Sequence, residues 1–189
     1  MSRTFFLMKI LLLGDSGVGK SSLIERFCNP SSKPIPSKTV GISFKSSMMH
    51  LDYKVHPLRF YDANGHSYFD NLLKDYIFNS DAVVIVYDIT RIYTLHRAIQ
   101  LVKKIKDKKI FLIGNKCDRV AERRVQKTDV SKQIKRLKTD IFVLECSALE
   151  GTNCKNTIEL IVRESNRDDG FYTSIDIQKK QQINKCIIV

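Results

Sequence analysis

Nowhere does the chain approach the ~20 consecutive apolar residues that a membrane-spanning helix needs, so no span is expected. The cysteines, Cys28, Cys117, Cys146, Cys154 and Cys186, are odd in number and show no Cys-x-x-Cys spacing. Neither a disulfide framework nor a zinc site is indicated, and a reducing, cytosolic setting fits. His50, His56 and His96 have no i, i+4 partner among themselves, which argues against a helical metal site. A secretory leader is not expected: the segment from Arg3 to Leu13 is apolar, but Lys9 interrupts it and no small-residue cleavage site follows. Acidic residues are scarce, twenty against thirty-two basic ones. The formal charge of +12 points to an anionic partner: a nucleotide, a nucleic acid or an acidic membrane surface. Proline is nearly confined to one stretch, 29–38, which holds three of the four and reads as an exposed loop. The 189 residues, 43% hydrophobic, suffice for a single core between a sheet and flanking helices.

Against that background Gly14-Asp15-Ser16-Gly17-Val18-Gly19-Lys20-Ser21 stands out as a Gly-x-x-x-x-Gly-Lys-Ser phosphate-binding loop. The context is right: Phe5 to Leu13 reads as a buried strand and Ser22 to Phe27 as the opening of a helix. Three glycines let the backbone fold over an anion, so that N–H groups and the positive helix end face phosphate oxygens. Lys20 adds a charge for the β- and γ-phosphates, and the Ser21 hydroxyl suits Mg²⁺.

Beyond the proline-rich stretch, Val40 begins a strand, and a second is expected from about Tyr53 to Tyr61, pairing antiparallel with it. Pro57 cannot donate to a ladder, so a bulge or a missing bond is expected there. Asp62 closes that strand; its carboxylate at a strand end facing the phosphate loop suits a metal, while an Asx turn would use the same residue. A helix is expected to follow through Phe78. Ala82 to Tyr87 is a β-branched run suited to a strand buried on both faces, followed by a helix from Leu95 to Ile105. Strands are expected at Ile110 to Ile113 and Ile141 to Leu144, with helices at Asp129 to Leu137 and Cys154 to Glu164. Alternating strands and helices imply an α/β fold with a mostly parallel, doubly wound sheet of six strands, binding ligand outside the strand C-terminal ends.

The phosphate loop, Thr39, Asp62 to Gly65, Asn115-Lys116-Cys117-Asp118 and Ser147-Ala148 together resemble the nucleotide motifs of the Ras superfamily of small GTPases, in order and spacing. The phosphate loop, Thr-Val-Gly-Ile-Ser-Phe and Val-Tyr-Asp-Ile-Thr look most like the Rab branch. The resemblance implies a P-loop NTPase small G domain over 1–166 and a flexible tail over 167–189. It implies GTP or GDP with Mg²⁺, held by Asp15, Ser16, Gly17, Val18, Gly19, Lys20, Ser21 and Ser22. Thr39 and Gly65 would sense the γ-phosphate, with Ser21, Thr39 and Asp62 on the metal side. Exchange factors, GTPase-activating proteins and effectors are the implied partners. Independently of family, Asp118 can accept from guanine N1 and N2, Asn115 can tie the base edge to the phosphate loop, the Lys116 stem can lie over the ring, and the Ala148 N–H can donate to O6, with Ser147 beside it.

Three residues depart from the family pattern. His66 stands where a water-orienting glutamine is usual, so catalysis is assigned to His66, Gly65 and Lys20 with impaired hydrolysis expected. The alternative is a GTP-bound effector platform with little turnover, in which His66 is an exposed residue. Asn64 replaces an alanine, and Ser32 stands where an aromatic usually stacks on guanine. At the other end, Cys186-Ile187-Ile188-Val189 fits a prenylation signal on Cys186. A single chain anchors marginally. Lys179, Lys180 and Lys185, with clusters at 103–109 and 123–138, are candidates for a second, electrostatic signal, or simply a solvated basic face. No aromatic-rich surface accompanies them, so nucleic acid is not an expected partner. The expected location is the cytoplasmic face of a membrane, in exchange with the cytosol.

Overall fold

The computed structural model describes residues 6–34, 41–63, 71–137 and 141–166. In chain order the elements are β1 (Met8–Leu13), α1 (Lys20–Cys28), β2 (Ile42–Leu51), β3 (Lys54–Ala63), α2 (Asn71–Asn79), β4 (Ala82–Asp88), α3 (Ile92–Lys104), β5 (Lys109–Asn115), α4 (Lys127–Lys135), β6 (Ile141–Glu145) and α5 (Cys154–Ser165). A short 3₁₀ turn, Val120–Glu122, lies between β5 and α4.

Six strands form one sheet in the order β2-β3-β1-β4-β5-β6, parallel except for the β2–β3 pair. The period-two alternation of side chains divides the core into two layers. Ile10, Leu12, Val84, Val86, Phe111 and Ile113 face α1 and α5. Leu11, Leu13, Val83, Ile85, Ile110 and Leu112 face α2, α3 and α4. With helices on both sides every residue of β4 is buried, which is why it reads as an unbroken apolar run from Ala82 to Tyr87. From β1 the chain first moves to one side, to β3, then to the other, to β4. The switch point therefore lies at the C-terminal end of β1, where Gly14 begins the phosphate loop.

The doubly wound six-stranded sheet and its antiparallel pair are as the sequence implies, with shifted boundaries. Phe6 is exposed and β1 starts at Met8, where pairing with Leu58 begins. Asp52 and Tyr53 both take positive φ, 51° and 60°, and form the two-residue turn, so β3 starts at Lys54. Pro57 makes no bulge, since the β2–β3 register runs one to one from Ile42–Ala63 to Leu51–Lys54. Bonded and non-bonded pairs alternate away from that turn, which puts Met48–Pro57 on a non-bonded pair. The proline nitrogen thus faces away from β2, one residue before the pairing with β1 begins. Helix α3 starts at Ile92, a turn earlier than its periodicity suggests, because Ile92 and Tyr93 are exposed and contribute nothing to the buried stripe.

The lysine cluster before β5 is divided rather than pooled. Lys108 Nζ donates to the carbonyls of Phe78 and Ser80 at the end of α2, 2.6 and 2.8 Å away, while Lys109 Nζ donates to Glu164 O at the end of α5. Those helices lie on opposite faces of the sheet.

Candidate functional site

Five strand ends converge on the phosphate loop. Gly14, Gly17 and Gly19 have φ of +138°, +74° and +97°, which L side chains rarely adopt. At Gly14 a Cβ would also lie 2.2 Å from Val86 O. Lys20 opens α1 and folds back along the loop, its Nζ donating to the carbonyls of Gly14 and Asp15 at 2.8 and 2.9 Å. Burial lowers its pKa, against the raising effect of the Asp62 and Asp15 carboxylates. A phosphate chain would supply the further negative charge that a buried ammonium needs. Asp15 is itself turned aside, its carboxylate held by Arg97 of α3 at 2.7 Å; Ser16 is exposed, Val18 buried, Ser22 half-buried.

Ser21 and Asp62, forty-one residues apart, are brought together: Ser21 Oγ donates to Asp62 Oδ2. Two hard oxygen donors beside Lys20 suit Mg²⁺, which prefers oxygen ligands and keeps several waters. A cavity of about 540 Å³ opens beside them, lined in part by Ser21, Ser22, Glu25, Lys45 and Asp62. Ser32 lines it too, and its hydroxyl reaches Glu25 Oε1 at 3.4 Å. Glu25 also pairs with Lys45 of β2, and that contact is the main reason its carboxyl lies below the usual range.

Asn115, at the end of β5 and 2% exposed, holds two loops at once. Its Nδ2 donates to Val18 O at 2.8 Å and its Oδ1 accepts from Ala148 N at 3.0 Å. The tie to the phosphate loop is the one expected from the sequence. The Ala148 N–H, read from the sequence as a donor to guanine O6, donates in this structure to Asn115 Oδ1. Lys116 takes φ of +68°, and Asp118, two residues on, is exposed. Ser147 is fully buried and organises its own turn, its Oγ accepting from Glu150 N and its carbonyl from Gly151 N.

Two residues that the sequence reading passed over support these loops. Arg26 lies on the buried stripe of α1 beside Leu23, Ile24 and Phe27. It donates to Ala148 O at 2.9 Å, to Leu149 O, and to Pro30 O at 2.8 Å. An arginine on an otherwise apolar face was the signal available. Asp88, at the end of β4 and 1% exposed, accepts from Thr90 N and Oγ1, from Arg91 Nε at 3.0 Å and from Lys116 Nζ at 2.7 Å. Burial alone would raise its carboxyl, but the hydrogen bonds from Lys116 and Thr90 outweigh that and hold it below the ordinary value. The Lys116 ammonium is thereby fixed against Asp88.

Thr39, Asn64, Gly65, His66 and Cys186 lie outside the described residues.

A model of the Ras family matches residues 9–167. Among curated relatives, the chain is 32% identical to Ras-related protein RABA5c of Arabidopsis thaliana over 191 residues, covering 97% of this chain and 88% of that one. It is 31% identical to Ras-related protein RABA1g of the same plant over 84% of this chain and 75% of the relative. With Ras-related protein Rab-13 of Rattus norvegicus it shares 29% identity over 95% of each.

Proposed function

This chain is a Ras-family small GTPase of the Rab type, and we propose that it works as a guanine-nucleotide switch in membrane traffic, binding GTP or GDP with Mg²⁺ and hydrolysing GTP slowly. The observation that carries the reading is the pair of hydrogen bonds by which Asn115 donates to Val18 O and accepts from Ala148 N. It joins the phosphate loop to the base loops as one rigid unit, with Asp118 free to accept from the two guanine nitrogens. In hydrolysis a water attacks the γ-phosphorus as the bond to the β-phosphate oxygen breaks, giving GDP and phosphate. Mg²⁺, held through Ser21, Thr39 and Asp62, would neutralise charge on the β- and γ-oxygens. Lys20 supplies a second, fixed charge, and Gly65 an N–H to the γ-phosphate.

Slow turnover belongs to the same proposal. Neutral imidazole at His66 offers a single acceptor and a shorter reach than glutamine. If His66 orders no water at all, the chain is a lasting GTP-bound effector platform. The G domain comprises 1–166, and 167–189 is a tail whose Cys186, when prenylated, places the protein on a cytoplasmic membrane face. Exchange factors, activating proteins and effectors complete the cycle.

The test is nucleotide binding. Wild type takes GDP and GTP and rejects ATP, and Asp118→Asn shifts preference to xanthine nucleotides, because an amide donates where the carboxylate accepted. Equal affinity for ATP, or no shift in the variant, places the base elsewhere.

A further inference from the structure

Glu25 gathers three groups that belong to different parts of the chain. Its Oε1 accepts from Asn29 Nδ2 at 2.7 Å and from Ser32 Oγ at 3.4 Å, and its Oε2 accepts from Lys45 Nζ. Asn29 and Ser32 lie in the loop that leaves α1, and Lys45 lies near the start of β2. One carboxylate on α1 therefore fastens both the loop that follows the helix and the next strand. Lys45 meets it because it stands opposite Phe60 in the β2–β3 register, and the Phe60 ring packs 6.0 Å from that of Phe27 in α1, so this face of β2 looks onto the helix. The neighbouring Arg26 holds the same loop from the buried side, through Pro30 O at 2.8 Å.

These residues form a wall of the site. Glu25, Ser32 and Lys45 line the cavity of about 540 Å³ together with Ser21, Ser22 and Asp62. A segment that must be ordered to receive a ligand costs affinity, and fixing it beforehand removes that cost. We propose that Glu25 is a positioning residue for the nucleotide, its carboxylate holding the loop of Asn29 and Ser32 and the start of β2 as one fixed wall, and so slowing release of bound guanine nucleotide. The proposal rests on the nucleotide reading above. The Lys45 bond, with that of Asn29, holds the Glu25 carboxyl below its ordinary value, so the pair is charged at neutral pH. The Lys45 and Glu25 side chains are 39% and 33% exposed, which leaves their attraction open to screening by salt.

The experiment uses the full chain loaded with Mg²⁺ and a fluorescent GDP and chased with excess GDP, at about 0.1 M and about 1 M KCl, where the screening length is about 10 and about 3 Å. Wild type, Glu25→Gln, Lys45→Gln and the double variant are compared. Glutamine at position 25 keeps an acceptor for Asn29 and Ser32 and loses only the charge. Each single variant should release GDP about two- to fivefold faster at the lower salt, the range of a partly exposed ion pair, and the double variant no faster than either. The gap between wild type and the variants should close at the higher salt. A pair that only braces the fold stabilises it equally with and without nucleotide, so its loss would lower the urea midpoint of the nucleotide-free protein and leave release unchanged; that result overturns the proposal. A gap of the same size at both salts overturns it as well. So does a double variant whose acceleration is the product of the two single ones, which would mean that the two residues act separately. Wild type that binds no GDP at all overturns the nucleotide reading itself, a distinct result.

Discussion

The side-chain amide of Asn115 occupies the space that a side chain on Gly19 would need: a Cβ there would lie 2.2 Å from Nδ2. Gly19 also has φ of +97° and serves as the N-cap of α1. The absence of a side chain at one residue is thus what lets the other reach Val18 O.

Gly19→Ala should therefore lose nucleotide by at least about a hundredfold, from backbone strain and displacement of Asn115 together. Asn115→Ala should destabilise the nucleotide-free fold by about 2 kcal/mol or more, because it strands a buried carbonyl at Val18 and a buried N–H at Ala148. Titration with fluorescent GDP and urea unfolding measure the two effects. Retention of wild-type affinity in Gly19→Ala would mean that the loop has another way to accommodate Asn115.

Tyr87 is fully buried in β4, and its hydroxyl has no hydrogen-bond partner among the described residues. Burial pushes its phenol well above its ordinary value near 10. Once the pH passes 10 the unfolded chain releases this proton and the folded one keeps it, so the unfolded state binds fewer protons and stability falls as pH rises. Tyr87→Phe should leave stability at pH 7 unchanged or raised by about 1 kcal/mol, and should flatten the loss above pH 10. Urea unfolding at pH 7 and pH 10.5 tests this; a destabilised variant at pH 7 would show that the hydroxyl has an acceptor.

Single-turnover GTP hydrolysis should rise several-fold in His66→Gln. Small GTPases without accelerating partners turn over at only about 10⁻⁴ to 10⁻² per second, so a better-ordered water is visible against that floor. A variant no faster than wild type would show that His66 already orients the water or that Asn64 obstructs it.

Lys108, like Lys109, has specific carbonyl acceptors. Lys108→Ala should cost about 1 kcal/mol and weaken hydrogen-exchange protection at the end of α2, where Phe78 and Ser80 lose their donor. Lys103→Gln and Lys106→Gln, at exposed positions, should stay within about 0.5 kcal/mol of wild type. If all three variants behave alike, Lys108 is an ordinary surface charge.

The phosphate loop and Asn115 to Asp118 were legible because each is contiguous and places its functional groups through local backbone geometry. The same holds for the run from Ala82 to Tyr87 in β4, which is buried on both faces and is interrupted by no charged residue before Asp88. Pro57 was not legible in this way. Whether its missing N–H meets β2 depends on counting from the turn at Asp52 and Tyr53, and nothing local marks that parity.

By itself the sequence determined the order of strands and helices, the glycine loop with its lysine, and the residue types proposed to read guanine. Only the tertiary structure decided who meets whom. Arg26 was drawn to the carbonyls of residues 148 and 149, Asp88 to Lys116 and Arg91, and the Ala148 N–H to Asn115. A buried polar group must find a partner wherever packing offers one, and packing joins residues that the chain keeps far apart.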